Sequence, residues 1–176
     1  MLHHSTKTDM DANLLRLHTT LASAIRGMTL DQLTRHPAGK WSTAEILEHL
    51  NLSYTGTIKG MQRGLDSGSP SASSDRGRMR WQRLILIRGG YFPYGRKSPE
   101  RVLPRGAPPQ QVAAEILENV ARMDAVIQEC ETRFGRKKPL ADHPVLGPLT
   151  AAEWRKFHLV HAKHHAKQIR RLRSAS

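Results

Sequence analysis

The chain has 176 residues, of which 38% are hydrophobic and 5% aromatic, and a formal net charge of +13 at pH 7. This length predicts one domain, 1–176, with its own core and with flexible segments at about 1–9 and 67–78. A single cysteine excludes an intrachain disulfide scaffold. No run approaches the roughly 18 apolar residues of a membrane span, so a membrane protein is not expected. The absence of a signal-peptide pattern favours the cytoplasm.

Apolar spacing and capping signals predict helices in the first third of the chain. Leucine and isoleucine recur at three- and four-residue spacing over about residues 11–26. Thr29 and Gln32 then have the pattern of a capping box, which predicts a short helical turn. Ser42 and Glu45 repeat this pattern before a broad apolar face, which predicts a second long helix ending at a Gly-, Pro- and Ser-rich stretch.

The segment after this helix is strongly basic. Residues 76–105 contain nine Lys or Arg and one acid, Glu100, which gives a local charge of +8. Within it, the apolar run 84–87 fits a short helix or a strand, and helix is favoured because a lone strand would have no partner. The charge either contacts the phosphates of a polyanion or forms a solvated surface, and the second alternative is more common for such runs.

Two further long helices are predicted in the second half of the chain. One begins at residues 108–109, because proline is tolerated at the first position of a helix, and ends near Gly135. The other begins at a capping box of Thr150 and Glu153 and continues to about Arg173. No segment has a convincing strand pattern. Four long helices in one domain predict an all-α helix bundle.

The last helix carries a group of histidines on its apolar side. At 100° per residue, His158, His161 and His165 share one stripe with Trp154 and Ile169, while most of the basic residues lie on the opposite side. Burying imidazoles is costly unless each finds a hydrogen-bond or metal partner. The four-residue spacing of His161 and His165 lets two imidazoles share one ion, and hydrogen-bonded core histidines fit the spacing equally well.

A histidine in the second long helix is a candidate third ligand. His49 is the only histidine of that helix, and it lies at the edge of the apolar face. From that edge it could reach a metal between two helices. A partly exposed histidine without a metal fits the same spacing.

The stretches KWSTAEILEHL and HPVLGPLTAAEWRKFHLVHAKHHAKQI together resemble the DinB/YfiT-like superfamily of metal-binding four-helix bundles. The shared pattern is a Trp-Ser start to the second helix with a histidine inside it, a His-Pro segment leading through Gly, Leu and Thr to Trp, and a final histidine-rich helix. The resemblance implies a four-helix bundle of this type, to which this sequence adds a short helix and a basic loop insertion between the second and third long helices. It also implies that His49, His161 and His165 bind a divalent metal, for which zinc, nickel, iron and manganese all suit neutral imidazoles.

Other residues of these stretches are candidates for supporting roles. His143, His158 and Gln168 are candidates for orienting the metal ligands through hydrogen bonds, with ordinary structural hydrogen bonding as the alternative. Trp41 and Trp154 are candidates for the wall of a pocket, with core packing as the alternative. The sequence assigns no general base among four acidic candidates, which are Glu45, Glu48, Asp142 and Glu153.

Two classes of function remain open at this point. The resemblance implies a metal-dependent hydrolase or an S-transferase that uses a low-molecular-weight thiol, and the basic segment favours a small anionic substrate. The alternative is a non-catalytic basic bundle that binds nucleic acid and holds a structural metal. The resemblance also implies a homodimer.

Overall fold

The computed structural model describes residues 9–73, 89 and 98–174. Within these residues, five α-helices account for most of the chain, and a small sheet precedes the last of them. The helices are α1 (Ala12–Ile25), α2 (Leu30–Thr34), α3 (Thr43–Ser67), α4 (Pro109–Phe134) and α5 (Ala151–Ser174). The strands are β1 (Pro139–His143) and β2 (Gly147–Thr150), and a 3-10 turn spans Glu100–Val102. None of the helices seen in these ranges combines the length and the apolar character that crossing a membrane requires.

Capping boxes set the starts of α2, α3 and α5, as the sequence predicted. Ser42 accepts the backbone N–H of Glu45, whose carboxylate accepts the N–H of Ser42 in return. The predicted boxes before α2 and α5 form through the same reciprocal contacts. The mostly helical character and the bounds of the four long helices are therefore confirmed.

The prediction that no segment forms a strand is wrong. β1 and β2 pair as an antiparallel hairpin, with His143 opposite Gly147. Periodicity missed them because strands of five and four residues that contain proline and glycine show no readable alternation. Gly147 has a φ of +71°, a conformation that favours glycine, where the chain turns into β2. Because Thr150 both ends β2 and caps α5, the hairpin fixes where the histidine-rich helix begins.

One hydrophobic cluster joins these elements. α3 packs mainly against α4, and α1 packs mainly against α5. Cys130 of α4 belongs to this core at 1% exposure, with its thiol 3.8 Å from the carbonyl of Met61. Burial raises the pKa of this thiol to about 11. The core thus holds its only cysteine as an unreactive thiol.

A buried arginine ties α5 to α1 and α4. The guanidinium of Arg155 donates to Glu131 at 2.7 Å, and its Nε lies 3.7 Å from Asp11 and 3.8 Å from Asp124. Burial raises the pKa of Asp124, while the backbone N–H of Asp11 and the nearby Arg155 charge oppose that rise. Asp11 is also the N-cap of α1, so the network fixes the start of that helix against α5.

Parts of the basic segment lie outside the described residues. These include the predicted short helix at 84–87, and the expected flexible residues 1–8 and 74–78 are also outside. The described residues before 74 are attached to β1. The backbone N–H of Ser71 donates to the carbonyl of Leu140, and Ser73 donates to Asp142 through its N–H and its hydroxyl.

Candidate metal centre

Three buried histidines from two helices converge on one point. His49 of α3 is 3% exposed, and His161 and His165 of α5 are 4% and 6% exposed. The Nε2 atom of His161 lies 3.1 Å from Nε2 of His49 and 3.0 Å from Nε2 of His165. The ligand atoms of all three lie within 4.8 Å of one another, so the three are close enough to hold one metal ion.

The backbone explains this convergence. His161 and His165 lie one turn apart on α5, which places both rings on the same face. The capping box at Ser42 and Glu45 starts α3 at Thr43, six residues before His49, and that helix runs past α5. The side chain of His49 therefore meets α5 from across the core.

Two ring partners fix which nitrogen of each outer histidine carries a proton. Nδ1 of His49 lies 2.8 Å from the carbonyl oxygen of Val102, in the 3-10 turn. A carbonyl only accepts, so Nδ1 must donate, and the neutral ring then has a lone pair on Nε2. Nδ1 of His165 donates to Oε1 of Gln168 at 2.7 Å, while the amide nitrogen of Gln168 faces His164 at 3.2 Å. The lone pairs of His49 and His165 therefore both face His161.

A shared proton does not satisfy this arrangement. If Nε2 of His161 carried a hydrogen, it could donate to one neighbour, and the lone pair of the other would face it unmatched. A cation at the common point satisfies all three lone pairs at once. Metal–nitrogen bonds of about 2.1 Å place neighbouring ligand nitrogens roughly 3.0–3.4 Å apart, which agrees with the separations on either side of His161. The three histidines therefore fit a divalent metal.

Electrostatics keep these imidazoles neutral. Burial lowers the pKa of His165 to about 3, with His49 adding to the effect. Burial, followed by the charges of His165 and His49, holds the pKa of His161 well below its ordinary value. Burial also lowers the pKa of His49, partly offset by the Val102 carbonyl. Neutral imidazoles are the form that ligates metal, so the site needs no proton removed at pH 7.

Aromatic rings contact two of the three histidines. Trp41, predicted as a wall residue, has its ring centroid 5.1 Å from that of His49. The ring of Phe157 stacks on His161 at 5.4 Å and meets His143 at 4.3 Å. Phe157 was not among the predicted site residues, although its position one turn before His161 was a usable signal.

Of the other predicted residues, one bonds to a converging histidine and the others lie beside the three histidines. Gln168 bonds to His165, as the ligand-orienting role requires. His158, fully buried, donates instead to the hydroxyl of Thr57, which itself donates to the carbonyl of Ser53. Trp154 stacks on His158 at 5.6 Å and belongs to the core.

His143 is held at the hairpin turn beside these rings. Its Nδ1 accepts the backbone N–H groups of Val145 and Leu146, both at 3.1 Å, so its proton lies on Nε2. Burial, together with the charge of Arg101, lowers its pKa to about 4. His143 therefore stays a neutral N–H donor near the site at ordinary pH.

Each of the four acidic candidates already has a structural partner. Glu45 and Glu153 complete the capping boxes of α3 and α5. Asp142 accepts from Ser73. Glu48 is buried and accepts three consecutive backbone N–H groups, those of residues 105–107. The geometry therefore singles out none of them as a general base.

The chain matches a protein-family model over most of its length. The model described as a protein of unknown function, DUF1569, covers residues 10–172, which include all three converging histidines. No curated protein and no solved structure matches the chain. A match over nearly the whole chain shows the family, and the chain belongs to it.

Proposed function

We propose that this member of the DUF1569 family is a metal-dependent enzyme of the DinB/YfiT-like type, with His49, His161 and His165 as the ligands of one divalent metal. The observation that carries the proposal is the convergence of three buried imidazole nitrogens, two of them oriented through hydrogen bonds at the opposite ring nitrogen. The four-helix bundle of that superfamily is part of the proposal, and four long helices around one core support it.

Three protein ligands suit a catalytic site better than a closed structural one. Structural zinc sites usually have four protein ligands, whereas catalytic sites have three and leave a position for water or substrate. Among the described residues, these three histidines form the only group of His, Cys, Asp or Glu side chains close enough to share an ion. When bound, the metal would supply the Lewis acidity that activates water or a thiol toward an electrophile.

The residues beside the ligands favour a small anionic substrate. Arg101, inside the 3-10 turn, and Arg105, three residues after Val102, are both exposed, and the Val102 carbonyl contacts His49. The Arg101 charge is also close enough to His143 to lower its pKa. With its proton on Nε2, His143 can donate a hydrogen bond to a substrate oxygen, while Trp41 and Phe157 exclude water from one side of the ligands.

Metal content tests the proposal directly. The untagged wild type is expected to hold about one equivalent of metal, measured by inductively coupled plasma mass spectrometry, because three ligands converge on one point. His49→Ala and His161→Ala should each lose it. His36→Ala, which removes an exposed histidine before α3, is the matched control and should retain it.

The loaded protein then separates the two reaction types. Two reactions are measured with wild type and His161→Ala at the same concentration of added metal. They are hydrolysis of small anionic esters and transfer of low-molecular-weight thiols to electrophiles. Turnover that disappears in the variant supports the enzyme. A wild type that takes up no zinc, nickel, iron or manganese overturns the metal site and the enzyme together.

A further inference from the structure

Glu48 is a buried carboxylate whose hydrogen bonds all go to one short backbone segment. Its Oε1 accepts the N–H of Arg105 at 2.9 Å, and its Oε2 accepts those of Gly106 and Ala107, both at 3.1 Å. The side chain is 6% exposed. A buried carboxylate is costly unless hydrogen-bonded, so these three donors account for its place in the core.

The same segment supplies the partner of a metal ligand. Val102, three residues before Arg105, accepts from Nδ1 of His49, and His49 follows Glu48 directly in α3. Two neighbouring residues of one helix thus bind backbone groups within residues 102–107. The small side chain of Ala107 packs against the core, whereas Leu103 is 37% exposed, so the segment has little apolar anchoring. Polar contacts to α3 therefore do much of the positioning.

A glycine allows the three N–H groups to converge on the carboxylate. Gly106 has a φ of +84°, in the left-handed region that glycine adopts without strain. Successive N–H groups near such a residue form a concave anion-binding surface. A Cβ at this position would meet nothing within 4 Å, so alanine here would strain the backbone without a clash.

We propose that Glu48 is a positioning residue for the metal centre, which holds the Val102 carbonyl against Nδ1 of His49 and so keeps the lone pair of Nε2 directed at the site. This inference rests on the proposed metal site for its functional meaning. Without a fixed acceptor at Nδ1, the ring of His49 places its proton on either nitrogen, and a proton on Nε2 blocks ligation. Loss of such an orienting partner typically weakens metal binding by about 10- to 100-fold.

The first test reads the tautomer of His49 without metal. Long-range ¹H–¹⁵N spectra of the chelator-treated protein should show the Nδ1–H form in wild type. Glu48→Gln places an amide N–H₂ where only acceptors fit, so the segment should detach and His49 should show both tautomers. Glu45→Gln is the matched control, because it makes the same change one turn earlier and its amide can still accept the N–H of Ser42.

The second test measures zinc affinity by calorimetric titration of the same proteins. Glu48→Gln should bind zinc about 10- to 100-fold more weakly than wild type, and Glu45→Gln should stay within about twofold. Gly106→Ala perturbs the contact from the segment side and should shift the tautomer in the same direction. If Glu48→Gln fails to fold, the His49 tautomer in Gly106→Ala therefore decides whether the segment positions His49.

The two proposals fail separately. A single Nδ1–H tautomer in both Glu48→Gln and Gly106→Ala, or in the folded one of the two, overturns the positioning role. So does unchanged zinc affinity in a folded Glu48→Gln. A wild type that binds no zinc, with a tautomer that still depends on Glu48, overturns the metal site and leaves the positioning of His49 established.

Discussion

Both faces of α5 carry basic residue types, but those of one face are buried and those of the other are exposed to solvent. On the inner face, His158, His161 and His165 are at most 6% exposed. On the outer face, Lys163 and Lys167 are exposed. Solvent meets the needs of the outer charges, whereas every inner imidazole needs a partner within the protein. Only the inner face therefore needs a specific explanation. Convergence with His49 supplies one for His161 and His165, and Thr57 is the partner of His158.

The largest expected effect is the loss of stability at acid pH, which arises from the buried histidines of the inner face. The folded pKa values of His158 and His165 are about 3, and the ordinary value is 6.5. Since the unfolded chain binds these protons first, stability is full above pH 6.5 and is lost as the pH falls toward 3. At pH 4.5 each group should cost about 2.7 kcal/mol in the chelator-treated protein. Urea unfolding at pH 7.5 and 4.5 measures the loss.

His36→Ala, which removes an exposed histidine, is the control variant in the same urea experiment. A flat stability between the two pH values would show that the inner imidazoles are not buried in the neutral form.

Arg155 is the basic residue of α5 that breaks the pattern, and its removal should have the next largest effect. Arg155→Met leaves Glu131 and Asp124 without their buried cation. Breaking a buried ion pair from one side costs about 3–5 kcal/mol. The neighbouring Lys156→Met is the matched control and should change the free energy of unfolding by at most about 1 kcal/mol in urea denaturation. Equal effects would mean that the network adds no stability.

Zinc should stabilise the protein through the inner face alone. At about 100 times its dissociation constant, a ligand adds about 2.7 kcal/mol, which raises the melting temperature of a chain of this size by about 5–11 °C. Calorimetric scans with and without zinc should show this rise in wild type and in Lys163→Ala. His161→Ala should show none, and a full rise in that variant would place the metal elsewhere.

The smallest effects are expected from the outer face. Lys163→Ala with Lys167→Ala should change the free energy of unfolding by less than about 0.5 kcal/mol, because solvated surface charges rarely contribute more. Fluorescence titration with single- and double-stranded DNA and RNA measures whether this face binds polyanions. Affinity that falls steeply with salt and is lost in the double variant would give the outer face a function of its own.

Periodicity and capping predicted most of this helical frame. Reciprocal contacts such as Ser42 with Glu45 involve residues three apart, so the signal lies within one short window. The same holds for His161 and His165, which helical geometry alone places side by side. His49 required the family resemblance, since nothing in the spacing within one helix says which neighbour it meets.

Contacts made through the backbone could not be predicted in this way. Val102 meets His49 with its carbonyl, and Glu48 binds N–H groups, so the side chains of the partners carry no signal. The hairpin could not be predicted from the pattern either, because its strands pair through backbone groups across a short turn and have little apolar alternation. Distant backbone groups become partners only once the helices have packed.

The buried thiol of Cys130 gives the chain a built-in reporter of its own opening. A thiol-reactive dye needs an accessible thiolate, and the single cysteine offers one only when α4 separates from α3. The labelling rate under native conditions therefore reports how often this part of the core opens, and not the reactivity of a surface thiol. Each substitution described above can be ranked by that rate in the otherwise unaltered chain, with no probe introduced by mutation.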